Sequence, residues 1–193
     1  INMALYELEQ ANGFVTEGYE INKAIDFESN ILGEANTRSS KLRGLLQLFQ
    51  EVRLTDAIGQ LIDVGDLYNQ LLYIFAEEAG KKINNVLAPT EVVSLITKLI
   101  DGNRKNACLC DPASGSGTLL IEVGKKMEIR GTDIYGQEVN WNLYALTKMN
   151  LMLNGFKGAT FLWGDSLRSP KLLDHGGLKK FDIVVSVPPF ADK

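Results

Sequence analysis

The stretch whose residue types and spacing point most directly to chemistry is Asp111-Pro112-Ala113-Ser114-Gly115-Ser116-Gly117. It follows a short apolar run, Ala107 to Leu109, and precedes an apolar helix pattern that starts at Thr118. A strand that ends on an acid and turns through small residues into a helix makes a nucleotide-type cofactor pocket. Glycines let backbone pass close to a ligand, and a helix start offers unpaired N–H groups. Asp111 is expected to orient the ligand's charged end, with Ala113, Ser114, Gly115, Ser116 and Gly117 lining the turn. No Lys-Ser/Thr pair follows, which excludes a P-loop, and the spacing is not that of a dinucleotide fingerprint.

Three further pieces follow at set distances. Glu138, in Tyr135-Gly136-Gln137-Glu138, lies 27 residues beyond Asp111. An acid so placed after a second strand commonly holds a ribose diol, because a carboxylate accepts from both hydroxyls at once. The alternative is an acid favoured by the dipole of a helix start. Asp165, in Gly164-Asp165-Ser166, could accept from an adenine amino group, although Gly-Asp-Ser is also ordinary turn chemistry. Last comes Val187-Pro188-Pro189-Phe190, directly after a hydrophobic strand. Two prolines and an aromatic there make a stiff, N–H-poor lip that can offer a carbonyl and a stacking ring to a flat base.

These residues need elements to hold them. Strands are expected at 107–111, 129–137, 159–163 and 181–187, with helices at 90–100, 118–126 and 139–153. Such alternation implies a parallel sheet with right-handed crossovers. The first 80 residues read as helical. Leu42, Leu45, Leu46 and Phe49 recur at helical spacing over 41–52. Leu67, Leu71, Ile74 and Phe75 do so in a helix N-capped by Asp66, and both stripes are expected to pack. Residues 26–40 are polar and expected to form a loop. The expected organisation is a helical region at 1–80 and an α/β domain at 81–193.

A net charge of -4 argues against an autonomous nucleic-acid binder, so any such grip must be local or supplied by a partner. No apolar run approaches membrane length, and no basic-then-apolar leader opens the chain. Cys108 and Cys110 lie two apart on a strand and read as buried filler. His175 is the only histidine, in a surface turn, so no metal site is expected. A reducing cytoplasm fits. The chain starts on Ile1 and stops three residues after Phe190, so it is expected to be part of a longer protein.

Taken in order, several blocks resemble the N6-adenine DNA methyltransferase (modification) subunits of type I restriction–modification systems. They are Ala79-Gly80-Lys81-Lys82, Asp111 to Gly117, Tyr135 to Glu138, Lys148-Met149-Asn150-Leu151, Trp163-Gly164-Asp165-Ser166-Leu167 and Phe181-Asp182-Ile183-Val184-Val185. The resemblance covers about residues 66–193. It implies a Rossmann-like methyltransferase sheet, incomplete here, with S-adenosylmethionine as cofactor across the loop at Gly115. It also implies methyl transfer to adenine N6 in a specific DNA sequence, within a complex with specificity and restriction subunits.

Two departures stand out. Where the family reads Phe-Tyr-Thr-Pro, this chain has Val86-Leu87-Ala88-Pro89, and only Pro89 is kept as a candidate cofactor contact. Where the family's catalytic block reads Asn-Pro-Pro-Phe, the Asn position holds Val187. That asparagine, with a proline carbonyl, accepts from the exocyclic amine and turns its lone pair outward. Val187 accepts nothing, a loss of about 10²–10³ in rate by analogy with a missing oxyanion-hole donor. Ser186 is expected to point away, since strand neighbours face opposite ways. Three readings follow: a working adenine methyltransferase subunit, a degenerate cofactor-binding subunit, and an unrelated nucleotide-binding α/β domain. Cytosine, which also carries an exocyclic amine, is an open alternative to adenine.

Overall fold

The computed structural model describes residues 2–11, 26–52, 63–78, 87–100 and 106–189. The chain divides into two compact units, Ile1–Ile62 and Asp63–Lys193. The helix that follows residue 62 packs against the α/β elements of the second unit. Val86, the Ala79–Lys82 block and Phe190 lie outside the described residues.

In the first unit, α1 (Asn2–Ala11) and α2 (Ala35–Glu51) are separated by a 3-10 turn at Asn30–Leu32, which Ser29 caps by accepting from the Ile31 N–H at 3.3 Å. The expected loop at 26–40 is therefore shorter, because helix α2 already begins at Ala35. Its first turns are polar because they face solvent, and polarity alone does not distinguish an exposed helix from a loop. The Leu45, Leu46 and Phe49 stripe does not pack: α2 holds no buried residue.

The second unit opens with α3 (Val64–Glu78) and α4 (Thr90–Leu99). Asp63, not Asp66, caps α3: its Oδ1 accepts from the N–H groups of Gly65 and Asp66 at 2.9 and 3.1 Å. Asp66 sits in the first turn and pairs with Lys125 at 3.1 Å. The face of α3 that packs is also not the one expected. Leu71, Ile74 and Phe75 are exposed, whereas Gly65 and Tyr68 meet helix α6 (Trp141–Leu153). The Tyr68 hydroxyl donates to the Leu146 carbonyl at 3.3 Å, and a Cβ on Gly65 would lie 2.6 Å from the Asn154 amide.

Strands β1 (Leu109–Asp111), β2 (Ile134–Glu138), β3 (Thr160–Trp163) and β6 (Ile183–Val184) form one parallel sheet in the order β3-β2-β1-β6. Helix α5 (Thr118–Met127) links β1 to β2, and α6 links β2 to β3. Leu109, Leu120, Ile121, Val123 and Ile134 are wholly buried and form the core. The strands lie where expected but are shorter. A 3-10 turn at Gly131–Asp133 delays β2, and Pro188 and Pro189, which have no N–H to give, stop pairing beyond Val185. Between β3 and β6, a small antiparallel hairpin of β4 (Leu173–Asp174) and β5 (Gly177–Leu178) turns through His175 and Gly176. Both have positive φ, +47° and +81°, as a tight hairpin turn requires. His175 is exposed, as a surface turn residue should be.

Chain order reverses at β1. The path steps outward from β1 to β2 and β3, then crosses back to place β6 on the other side of β1. The carboxyl ends of β1 and β6 therefore flank a topological switch point, where open α/β sheets place their ligands.

Candidate functional site

The glycine loop leaves β1 at Asp111, which is 2% exposed. Its Oδ1 accepts from the Ala113 N–H at 2.9 Å, and the Ser114 hydroxyl donates to its backbone carbonyl at 2.7 Å. Gly115 and Gly117 have φ of +55° and +77°, which a side chain adopts only with strain. At Gly117 sterics add to this, because a Cβ would lie 2.4 Å from Thr147 Cγ2. Gly136 of β2 has a similar function, since a Cβ there would strike the Phe161 ring and Ser114 Oγ.

Helix α6 holds the loop from beneath. Thr147 Oγ1 donates to the Gly115 carbonyl at 2.5 Å, and Asn150 Nδ2 to the Ser116 carbonyl at 3.1 Å. Thr147 and Asn150 are wholly buried. Ser166 secures the near side by donating to the Pro112 carbonyl at 2.5 Å. The hydroxyls of Ser114 and Ser116 turn inward, the second meeting Thr118 Oγ1 at 2.9 Å. What the loop presents outward is backbone.

Glu138, 7% exposed, ends β2 beside this loop. One oxygen accepts from the Gly115 N–H at 2.9 Å and the other from the Asn140 N–H at 2.8 Å. Each carboxylate oxygen keeps acceptor capacity, so the clasp fixes Glu138 without exhausting it. Its backbone carbonyl accepts from the Gly164 N–H at 2.8 Å, which brings the turn after β3 alongside. Val139 follows with its apolar side chain exposed. Asp165, in that turn, accepts from the N–H groups of Leu167 and Arg168 at 2.9 and 3.0 Å. The Arg168 and Leu167 amides hold its carboxyl below the ordinary carboxylate value. Asp165 thus works as a turn cap. Gln137 pins the same segment, accepting from the Lys171 N–H at 2.9 Å and donating to the Ser169 carbonyl at 3.1 Å.

Burial dominates the chemistry of Asp111 and pushes its carboxyl up to about 7. The Ala113 amide and the Ser186 hydroxyl pull in the opposite direction, and Glu138 adds to the rise. Among the described residues neither Asp111 nor Glu138 forms an ion pair. Two buried acids, one of them poorly compensated, beside an open backbone turn fit a ligand that is cationic at one end and carries hydroxyls at the other. S-adenosylmethionine has both.

On the far side of β1, the Val185 N–H donates to the Cys110 carbonyl at 2.9 Å, and the chain then leaves the sheet. Val187 is half-buried, and Pro188 and Pro189 are exposed. Pro89 is exposed at the start of α4. The next residue, Thr90, lines a cavity of about 380 Å³ together with Thr118, the first residue after the glycine loop. The structure therefore brings Asp111, Ala113 to Gly117, Glu138 and the Asp165 turn to the carboxyl ends of β1, β2 and β3, with Val187 and Pro188 following β6 on the other side of β1. Thr147 and Gln137 were missed. Both sit mid-element with ordinary residue types, and only their packing reveals what they hold.

Residues 61–193 match the family model described as N-6 DNA Methylase. The methylase subunit of the type I restriction enzyme MpnII from Mycoplasma pneumoniae is 30% identical over 165 residues, covering 80% of this chain and 30% of that protein. The MjaVII methylase subunit from Methanocaldococcus jannaschii is 40% identical over 132 residues, covering 66% and 22%. The chain thus spans between a fifth and a third of the length of these relatives. In fold it is similar to the type I restriction-modification methyltransferase subunit from Streptococcus thermophilus, with a TM-score of 0.69 at 23% identity over 88% of this chain and 36% of that one.

Proposed function

The chain belongs to the N-6 DNA methylase family, and we propose that it is the donor-binding part of a type I modification subunit that methylates adenine N6 in a specific DNA sequence from S-adenosylmethionine. The observation that carries this reading is the pair of buried acids at the ends of adjacent strands, Asp111 on β1 and Glu138 on β2, with Glu138 holding the Gly115 N–H of the loop between them.

In this reading Asp111 takes the ammonium of the donor's methionine end, and Glu138 takes the ribose hydroxyls. The backbone of Ala113 to Gly117 passes along the middle, with the Ser114 and Ser116 hydroxyls turned inward to shape it. Val139 and the Asp165 turn border the adenine, with Asp165 rigidifying the turn. Pro89 adds apolar surface near the methionine end. When bound, the donor's sulfonium supplies an electrophilic methyl group. Val187, Pro188 and Pro189 form the rim that receives the extruded base. There the Pro188 carbonyl accepts from the exocyclic amine, while the Val187 side chain offers only packing.

We take the transferase reading over a degenerate one because the similar proteins are methylase subunits. Val187 then sets the rate rather than the identity of the reaction. The net charge of -4 suits a chain whose DNA recognition is delegated to a specificity subunit, with a restriction subunit completing the complex. Among the described residues no helix is long and apolar enough to cross a membrane. A cytoplasmic location suits a DNA substrate and two free thiols.

The test is labelled-methyl transfer to DNA by the full-length subunit with its specificity subunit. Label on adenine N6 supports the proposal. Label on cytosine alone, or none with either the wild type or Val187→Asn, would overturn it.

A further inference from the structure

Ser186 follows the last backbone hydrogen bond between β6 and β1, that from Val185 to Cys110. Its Oγ is buried and has no hydrogen-bond partner among the described residues, yet it lies close enough to Asp111 to favour the ionised carboxylate. Side chains alternate along a strand, so a serine facing away from the Val187 side faces the acid at the end of β1. A buried hydroxyl without a partner costs free energy unless it has a use. Asp111 is only partly compensated: Oδ1 accepts from the neutral Ala113 amide at 2.9 Å, while burial still disfavours its charge. The buried hydroxyl and the buried acid thus stand together at the carboxyl ends of neighbouring strands.

We propose that Ser186 is a positioning residue for the donor site, its hydroxyl closing onto the Asp111 carboxylate to hold it ionised and aimed when a ligand ammonium arrives. This rests on the donor reading of the crevice. The serine acts through Asp111 and takes no part in the methyl transfer. The hydroxyl donates to the carboxylate, which leaves the serine oxygen free to accept from the same ammonium. The titratable groups around Asp111 are few. Glu138 faces it from β2, and the adjoining Cys110 thiol is held up at about 12, chiefly by burial, so it stays neutral. A rise of cation binding with pH up to neutrality therefore reports Asp111, whereas any fall toward pH 8.5 belongs to the ligand's own α-ammonium.

The test is calorimetric titration of the purified protein with S-adenosylmethionine from pH 5.5 to 8.5, for the wild type, Ser186→Ala, Ser186→Thr and Asp111→Asn with and without Ser186→Ala. Ser186→Ala is expected to weaken binding by roughly 10–100-fold near neutral pH, the worth of a hydrogen bond to a charged group. It is also expected to move the pH midpoint for binding upward. Ser186→Thr keeps the hydroxyl and should restore both, and in the Asp111→Asn background Ser186→Ala should have little further effect. Wild-type affinity and an unmoved midpoint in a folded Ser186→Ala protein would overturn this proposal alone. Absence of wild-type binding at every pH would overturn the donor reading and this inference with it. A loss in Ser186→Ala that Ser186→Thr does not restore would assign the serine to packing and also overturn it.

Discussion

Asp111 carries the strongest conflict between stability and use. Its carboxyl titrates near 3.8 in an unfolded chain and is pushed up to about 7 in the folded one. Between those values the folded protein retains a proton that the unfolded chain has released. Stability therefore falls as pH rises from about 4 to about 7 and levels off above that. Asp111→Asn removes the penalty together with the charge. Scanning calorimetry should show the variant melting above wild type at pH 8, with the gap closing toward pH 4, while donor binding is lost. A gap independent of pH would refute the assignment. Val187 poses the complementary question. Val187→Asn restores a side-chain acceptor and is expected to raise methyl transfer by about 10²–10³ in the assembled complex. An unchanged rate would mean that the valine is not what limits it. Both residues were legible in the sequence, Asp111 by its place before a glycine turn and Val187 by its place before two prolines. Ser186 was legible only in part. Strand alternation gave its direction, but the acid it faces comes from a neighbouring strand 75 residues away in the chain.

The elements show what holds the loop in shape. Its turns are set by glycines, and its carbonyls are bound by side chains from α6 and the β3 turn. Gly117→Ala should destabilise the fold by about 1–3 kcal/mol, from the strained φ and the clash with Thr147 together. Thr147→Val should cost about 1 kcal/mol for the lost hydrogen bond to Gly115 and weaken donor binding, with the sheet intact. Chemical denaturation and calorimetric titration measure these two effects, and wild-type stability in Gly117→Ala would contradict the steric account. Strand positions were readable from short apolar runs that end on acids or turn residues, as at Leu109 to Asp111 and Ile134 to Glu138. The helices were less so. The periodicity of α3 identified a helix but not its packed face, since Leu71 and Phe75 are as apolar as a core pair yet exposed, while Gly65 and Tyr68 make the contact. A glycine approached this closely leaves no mark in a hydrophobic pattern.

At the scale of the whole molecule, the parallel sheet and its switch point were legible because strand-helix alternation admits few topologies. Which compact unit α3 joins is not written in its periodicity, because its packing against α6 decides that. The acidic surplus has a consequence that can be measured. A chain with net charge -4 neutralises few phosphates, so binding of the chain alone to DNA should be weak with a shallow salt slope. Addition of the specificity subunit should steepen that slope, because counterion release scales with the phosphates contacted. Tight, steeply salt-dependent binding by the chain alone, in a fluorescence titration, would place DNA recognition here instead. The most direct test of the central claim, that Asp111, Gly115 and Glu138 hold an adenosyl sulfonium donor, is calorimetric titration of the folded protein with S-adenosylmethionine. The expected result is binding of one donor per chain that is lost in both Asp111→Asn and Glu138→Ala. Absence of binding by the folded wild type, or binding that persists in both variants, would contradict it.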